Sequence, residues 1–249
     1  MNKRTWLMLA VVAVLCGGRF PTAWGGPIKV GIWDDENSAG VKGICEALKQ
    51  ETALSVGLIT DPQLTFGALF KYDVIVIGSR GGVEESTAQA MRVYAQAGGG
   101  VLLHHDSCGY RKWAKPLFPE ICGGGVRAAR TVKLRPVAGC HHPMLEYLPP
   151  EFNHDYYDHI VLVPGPQGVV IVEDAGDGTS AVAVGQVGHG RVVANGCITG
   201  IAADNGEVAP RGGELQLLLN AVKWLGSPGV TTLPKEQFDA WRKEAGAVR

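Results

Sequence analysis

Five side chains that can do chemistry follow one short apolar run near the middle of the chain. Residues 101–103 are apolar, and the polar residues directly after them are His104, His105, Asp106, Ser107 and Cys108. A short apolar run is typical of a buried parallel strand, and ligands of an open α/β sheet bind beyond the carboxyl ends of its strands. The sequence therefore predicts a ligand site immediately after this run.

Within this group we assign the catalytic role to His105. An imidazole titrates near neutral pH, so it can serve as a general acid or base. Strand side chains alternate between the two faces of a sheet, so His104 is expected to point the other way. We place Asp106 and Ser107 among the substrate-binding residues, and Asp106 could also orient His105 or cap the next turn. The alternative is a histidine that hydrogen bonds merely fix at the end of a strand.

Ser107 could also be a nucleophile, because Gly109 follows it as in the G-x-S-x-G turn of serine hydrolases. His105, however, stands where that turn needs its first glycine. A serine hydrolase is therefore kept as a weaker alternative.

Two segments further along the chain carry more candidates. His142 precedes Pro143, and a proline restricts the backbone of the residue before it, so we predict a catalytic histidine in a defined pose. Tyr157 and Asp158 lie in a segment that mixes acids with aromatic rings. Sugar sites need apolar faces and a few placed polar groups, so we predict that Tyr157 binds substrate and that Asp158 is catalytic. The alternatives are a surface turn and an ordinary exposed segment.

Arg80 lies in a glycine-rich loop after a predicted strand, where it could bind a carboxylate or phosphate with help from backbone N–H groups. The loop is not a P-loop, because no Gly-Lys-Ser/Thr follows it. Asp34 closes the first predicted strand and is expected to border the same crevice. Both residues are predicted to bind substrate.

Metal binding is a further alternative, because His105, His142, Asp158 and His159 could converge on Zn²⁺. The chain has no His-Glu-x-x-His helical pair, so we expect neither a metal nor another cofactor. Among the cysteines, Cys108 and Cys122 are the best candidates for a disulfide, since both lie in loop-like sequence near the predicted site. Cys45 and Cys197 are predicted to be buried thiols.

The elements that must position these residues follow from the pattern of apolar residues. Predicted strands are residues 28–33, 54–59, 74–77 and 101–103, and later 131–137, 160–163, 169–173, 181–187 and 191–195. Predicted helices are residues 38–50 with Ser38 as the N-cap, 64–70, 84–97 and 212–224. Continuous apolar strands that alternate with helices favour a parallel sheet covered on both faces. Residues 188–190 suit a hairpin loop.

The bulk composition limits the classes of protein and partner. The chain has 249 residues, of which 46% are hydrophobic and 19% are charged, which fits one globular domain at residues 26–226. The formal net charge is −1 and no basic stripe is present, so nucleic acid is not an expected partner. We expect a small, carbohydrate-like ligand instead.

Residues 1–25 have the pattern of a signal peptide. Lys3 and Arg4 precede an apolar stretch at residues 6–15, and Ala23 and Gly25 are small residues at the expected cleavage site. A transmembrane span needs ~20 apolar residues, so none is expected here. The sequence thus predicts export to the periplasm or the cell exterior, with lipid anchoring at Cys16 as the alternative. Residues 227–249 are a predicted tail with a helix at 235–245.

Five motifs in order resemble one known family. They are GGGVLLHH, CHHPM, HDYYDH, VGQVGHGRVVANG and LLLNAVKWL. Together, over most of residues 28–226, they resemble the ThuA-like (trehalose-utilisation) family of the class I glutamine amidotransferase-like superfamily. The resemblance implies a flavodoxin-like three-layer α/β sandwich with a mainly parallel central sheet, and an association with carbohydrate metabolism. The opening KVGIWDDENS also resembles the amidotransferase-like domain of biotin–protein ligases.

The chain departs from the amidotransferase pattern at the residues that matter for chemistry. Glutamine amidotransferases carry a cysteine at the turn after this strand and a His-Pro-Glu near the C-terminus, whereas this chain has His105 at the turn. After its last strand it has Cys197-Ile198-Thr199, where ThuA-like relatives carry a histidine. A thiolate nucleophile needs a nearby base, so glutamine hydrolysis is not expected.

The residues and the resemblance together predict an exported ThuA-like protein that binds, and could transform, a sugar or sugar derivative. One alternative is a non-catalytic binding or scaffold module that has kept the fold without the nucleophile. A weaker alternative is a metal- or serine-dependent hydrolase.

Overall fold

The computed structural model describes residues 26–110, 114–154 and 156–227. The predicted signal peptide, the lipid-anchoring alternative and the predicted helix at 235–245 lie outside these residues and stay predictions. Export and the domain boundaries likewise stay predictions. In the described ranges, no helix is long and apolar enough to cross a membrane.

The first half of the chain builds the parallel part of the sheet. Its elements are β1 (Ile28–Trp33), β2 (Ser38–Ala39), α1 (Val41–Lys49), β3 (Leu54–Ile59), α2 (Phe66–Leu69), β4 (Val74–Arg80), α3 (Glu85–Gln96) and β5 (Gly100–His104). The apolar runs that predicted β1, β3, β4 and β5 all become strands, and β4 and β5 extend into the polar residues that follow their apolar runs. The predicted parallel arrangement is confirmed, with the order β3-β1-β4-β5.

The second half of the chain extends this sheet with antiparallel strands. Its elements are β6 (Cys122–Ala128), β7 (Val132–Pro136), β8 (Phe152–His154), β9 (His159–Pro164), β10 (Val169–Asp174), β11 (Ser180–Val187), β12 (Gly190–Asn195) and α4 (Gly212–Gly226). Strand β12 pairs parallel with β5, and β11, β10, β7 and β8 follow outward as an antiparallel set. The predicted hairpin joins β11 to β12. Strands β6 and β9 form a separate two-stranded sheet.

Helices cover both faces of the sheet and bury two apolar clusters. Helices α1 and α4 pack on one face, where Ile44, Leu48 and Leu217 meet the inward side chains of β1, β4 and β12. Helices α2 and α3 pack on the other face, where Leu69 and Met91 join the side chains that the same three strands turn to that face. This arrangement is the predicted α/β class, a flavodoxin-like three-layer sandwich.

The predicted start of the first helix is wrong. Ser38 lies in β2, which pairs antiparallel with the end of β4, and the N-cap is Gly40 in a left-handed conformation at φ 84°. Glycine has no Cβ and adopts this conformation readily. The N-cap of α1 is therefore Gly40, two residues later than predicted. The Lys42 N–H in the first turn donates to Glu207 Oε2 at 2.5 Å, so a distant loop caps α1. Strands β2, β6 and β8 were not predicted.

Gly43 of α1 is expected to tolerate no side chain, although alanine normally favours a helix by about 1 kcal/mol. A Cβ at Gly43 would lie 2.2 Å from the Val208 oxygen and 2.5 Å from the Gly200 oxygen, both of which are backbone atoms. We expect Gly43→Ala to lower the free energy of unfolding in urea by a net ~1–2 kcal/mol, since forced overpacking outweighs helix propensity. Gly81→Ala is the control, because nothing lies within 4 Å of its Cβ position. Equal stability of Gly43→Ala and the wild type would contradict this account of the packing.

Candidate functional site

The turn after β5 holds the imidazole of His105 in an unusual backbone conformation. A short 3-10 turn, His105–Cys108, follows the strand directly, and His105 has φ 48°. A left-handed conformation is uncommon and costly for a residue with a Cβ, and it persists where the surrounding structure fixes it. Here the fixing contacts are made by the ring itself.

Both ring nitrogens of His105 face polar partners. Nδ1 lies 3.1 Å from Asp106 Oδ1 and 3.2 Å from Ser79 Oγ, and Nε2 lies 3.1 Å from Asp158 Oδ1. The side chain is 3% exposed. Burial lowers the pKa of His105, but hydrogen bonds and charge from Asp106 and Asp158 outweigh burial, so the net pKa is raised. The arrangement favours an imidazolium held between two carboxylates.

Asp158 lies between the imidazole of His105 and the guanidinium of Arg127. Its side chain is fully buried, Oδ1 faces His105, and Oδ2 forms an ion pair with Nη2 of Arg127. Burial raises the pKa of Asp158, but His105 and Arg127 outweigh it and lower the pKa overall. The small β6–β9 sheet brings these residues together, because Arg127 of β6 pairs with Ile160 of β9, and Asp158 lies two residues before Ile160.

Tyr157 and Arg127 form the rim of the site. The Tyr157 hydroxyl accepts a hydrogen bond from Arg127 Nη2 at 3.1 Å, and the guanidinium lies 5.7 Å from the ring centroid. The Tyr156 ring lies 4.4 Å from the Tyr157 ring, and its hydroxyl donates to Asn205 Oδ1 at 2.8 Å. These contacts fix the segment that carries Asp158.

Three side chains of this site reach solvent, and others are buried. Tyr157 is 42% exposed, and the side chains of Arg127 and Asp106 are 37% and 24% exposed. His105 and Asp158 are buried beneath them. Asp106, Arg127 and Tyr157 are therefore the groups that face solvent, while His105 contacts Asp106 and Asp158 contacts Arg127 from the buried side.

Ser107 lies near His105 in sequence, but its hydroxyl points elsewhere. Ser107 Oγ donates to the Gly78 carbonyl at 2.6 Å, and the residue is buried. The serine beside the imidazole is Ser79, whose Oγ lies 3.2 Å from His105 Nδ1. A nucleophilic serine needs a histidine that can accept its proton, and the raised pKa of His105 disfavours that transfer. Because the Ser107 hydroxyl donates to Gly78 instead of contacting His105, the geometry gives no support to a nucleophilic Ser107.

Cys108 offers no nucleophile at this turn either. The residue is buried, and burial raises the pKa of its thiol well above the ordinary value, so the thiol stays protonated. Cys122 Sγ lies 3.5 Å from the Cys108 carbonyl oxygen, but the structure contains no disulfide between them. The expected Cys108–Cys122 bond is therefore not seen, although the two residues are neighbours as predicted.

Arg80 and Asp34 do not reach His105. Arg80 donates through Nε and Nη2 to Asp35 Oδ2 at 3.1 and 2.6 Å, and stacks 4.0 Å from the Trp33 ring centroid. Burial raises the pKa of Asp35, but Arg80 and Ser38 outweigh it and lower the pKa. Arg80 thus joins the ends of β1 and β4, and its role in substrate binding stays a prediction. Asp34 follows β1, which lies two strands from β5, or about 10 Å.

His142 lies at the other edge of the sheet. Its Nδ1 accepts a hydrogen bond from the Met144 N–H at 3.2 Å, and its ring packs 4.7 Å from Trp224. Trp224 accepts a hydrogen bond from Arg191, which pairs with Gly100 at the start of β5. His105 follows the end of that strand, and five residues span roughly 16 Å. The structure therefore separates His142 from the predicted site.

The remaining histidines near the site are buried away from it. His104 is 1% exposed, and its Nδ1 lies 3.2 Å from Asn195 Nδ2. Burial lowers the pKa of His104 to about 3, so this ring is neutral. His159 is also buried, and burial lowers its pKa. In the part of the chain that the structure describes, no three His, Cys, Asp or Glu side chains are arranged to hold a metal ion.

Two residues of the site, Ser79 and Arg127, were missed in the sequence. Ser79 lies in the same glycine-rich stretch as Arg80, and a register shift in the β4–β5 pairing between Ile77 and Ser79 sets the serine opposite the end of β5. Arg127 follows the glycines of CGGGV, which lack the alternation of a typical strand. The one available signal was that a buried Asp158 requires a cation near it.

No protein-family model matches the sequence, and no curated protein matches it. A solved structure described as ThuA-like, from Parabacteroides merdae, is 19% identical, covers 84% of this chain and 94% of its own, and has a TM-score of 0.60. A second ThuA-like structure, from Bacteroides uniformis, is 18% identical, covers 81% and 92%, and has a TM-score of 0.60.

A β-galactosidase from Rahnella sp. R3 contains a similar region. It is 15% identical, with a TM-score of 0.59, and the match covers 84% of this chain but 33% of the galactosidase. At these identities the likeness concerns the fold. The chain therefore has the α/β sandwich fold of the ThuA-like structures, as its motifs predicted.

Proposed function

We propose that this protein binds a sugar or sugar derivative at the site formed by Asp106, Arg127 and Tyr157. The observation that carries the proposal is the pairing of an exposed aromatic ring with exposed charged groups, above the buried His105–Asp158 pair. A sugar ring presents an apolar face and several hydroxyl groups. Tyr157 offers a flat surface for the face, and Asp106 and Arg127 accept from and donate to the hydroxyls.

The structural likenesses support the proposal. Two similar structures are described as ThuA-like, and the family resemblance of the sequence implies an association with carbohydrate metabolism. A third similar structure is part of a β-galactosidase. The site argues against glutamine hydrolysis, since His105 stands at the turn and the Cys108 thiol is buried and protonated.

Transformation of the ligand is the second candidate, and one contact favours it. Asp106 is partly exposed and lies 3.1 Å from His105 Nδ1. A proton can therefore pass between the buried imidazolium and a bound ligand through the Asp106 carboxylate. In this scheme Asp106 is the catalytic residue, and His105 and Asp158 are positioning residues that set its charge.

The binding proposal predicts a loss of affinity when the aromatic platform is removed. We expect Tyr157→Ala to weaken sugar binding by roughly tenfold, since an aromatic stacking contact contributes about 0.5–1.5 kcal/mol beyond the area it buries. The measurement is isothermal titration with neutral and charged pyranoses selected in a thermal-shift screen. Tyr147→Ala is the matched control, because Tyr147 is 79% exposed and lies outside the site. Equal losses in both variants, or no sugar that binds the wild type, would overturn the proposal.

Mass spectrometry of the incubated ligand separates the two candidates. A new product that disappears in Asp106→Asn, while that variant still binds the ligand, supports transformation. A ligand that binds and is recovered unchanged supports a binding module.

A further inference from the structure

We propose that Arg127 recognises an anionic group on the ligand, so that the site takes a sugar acid or a phosphorylated sugar in preference to a neutral sugar. This inference rests on the proposed sugar-binding function and deepens it.

The guanidinium has an inward and an outward side. Its Nη2 atom makes both polar contacts that the described residues show, the ion pair with Asp158 and the hydrogen bond to the Tyr157 hydroxyl. Nε and Nη1 form no hydrogen bond within the described part of the chain, and the side chain is 37% exposed. The outward side therefore keeps N–H donors that a ligand can reach.

The charge around Arg127 is only partly balanced. Asp158 is shared, because its second oxygen faces His105. Asp106 is the other carboxylate of the site among the described residues, and it contacts His105 instead of Arg127. Among the described residues no carboxylate contacts the outward side of the guanidinium, so an anion placed there is stabilised by the positive charge of Arg127.

Other arginines of the fold differ in this respect. Arg80 contacts Asp35, Arg92 contacts Glu120, and Arg135 contacts Glu173. None of these three acids is shared with a second cation in the described residues. Arg127 differs from these three arginines, because its carboxylate partner, Asp158, also contacts His105.

The position of Tyr157 defines the rest of the ligand. Its ring is 42% exposed and lies beside the guanidinium, with 5.7 Å between the Arg127 carbon and the ring centroid. A pyranose stacked on this ring places a carboxylate or phosphate substituent within reach of Nη1 and Nε. Both substituents offer the same chemistry, oxygen atoms that carry negative charge.

The test compares matched sugars by isothermal titration. The probes are glucose, glucuronate and glucose 6-phosphate, and the same three forms of galactose. We expect the wild type to bind at least one anionic form at least tenfold more tightly than its neutral counterpart, and the preference to fall with added salt. Which anionic form binds distinguishes a carboxylate site from a phosphate site.

Variants assign the preference to Arg127. We expect Arg127→Gln to reduce the ratio of anionic to neutral affinity to about one, and Arg127→Lys to keep part of it. Arg135→Gln is the matched control and should keep the wild-type ratio, because Arg135 lies on β7 and is similarly exposed. Circular dichroism checks that each variant is folded. If Arg127→Gln is unfolded, the wild-type ratio and Arg127→Lys decide the question.

Each contrary outcome has a distinct meaning. Equal affinity for neutral and anionic sugars in the wild type overturns the inference and leaves the proposed function standing. A preference that persists in Arg127→Gln also overturns it. Failure of every probe to bind overturns the proposed function as well.

Discussion

Replacing Asp158 by asparagine is expected to lower the free energy of unfolding at pH 7 by about 3 kcal/mol. Removal of one member of a buried ion pair costs ~3–5 kcal/mol, because it leaves the other charge without compensation. Asp158 is fully buried and faces both His105 and Arg127, so its loss affects two cations. The lower end of the range applies, since Arg127 is partly exposed and solvent screens its charge.

Urea denaturation of wild type and Asp158→Asn measures this loss directly. Glu173→Gln is the matched control, because Glu173 pairs with the exposed Arg135 on the surface and such pairs are worth ~0–1 kcal/mol. NMR titration of His105 adds a second readout. The pKa of this imidazole should fall in Asp158→Asn, since one of the two carboxylates that raise it is gone. A stability loss no larger than that of Glu173→Gln would show that Asp158 does not hold the site together.

The second large effect is a loss of stability in acid that originates at His104. Burial lowers the pKa of His104 from 6.5 to about 3, and this difference corresponds to about 5 kcal/mol at 1.36 kcal/mol per unit. Between these pH values the unfolded chain binds a proton at His104 and the folded chain does not. The contribution is therefore absent above pH 6.5, and destabilisation grows as the pH falls toward 3.

The variant His104→Asn removes this group while keeping an acceptor for Asn195. We expect its free energy of unfolding to vary less between pH 7 and pH 4 than that of the wild type. His141→Asn is the control, because His141 is exposed. His105 acts in the opposite direction, since its raised pKa adds stability below pH 6.5 that is lost as the pH rises. An unchanged pH dependence in His104→Asn would contradict the assignment.

Much of the fold could be predicted because buried parallel strands are continuous apolar runs in the sequence. Strands β1 and β3 have the bounds that their apolar runs predicted, and the hairpin between β11 and β12 forms at the expected glycines. Strand β6 could not be predicted, because CGGGVRA has neither an apolar run nor alternation. It is a strand because β9 pairs with it, and that pairing is a tertiary contact.

The site could be predicted only in part, because several of its residues are also placed by tertiary contacts. The turn at His105 follows from one strand end, and the contact of His105 with Asp158 joins two segments that were both candidates. His142 was a plausible partner by residue type, but its position depends on the packing of the turn at Pro143–Leu145 against α4. Arg127 depends on β6, and the contact of Ser79 depends on an irregularity in β4. Spacing along the chain carries no information on such contacts.

The pairing of β5 with β12 has a consequence for the order in which the chain acquires structure. The contact between His104 and Asn195 joins residues 91 positions apart, and β12 is the strand that connects the parallel half to the antiparallel half. Until β12 is synthesised, β5 is an open apolar edge, and such edges template aggregation. Closure of so long a loop is slow, so pairing of β5 with β12 is expected to limit the folding rate.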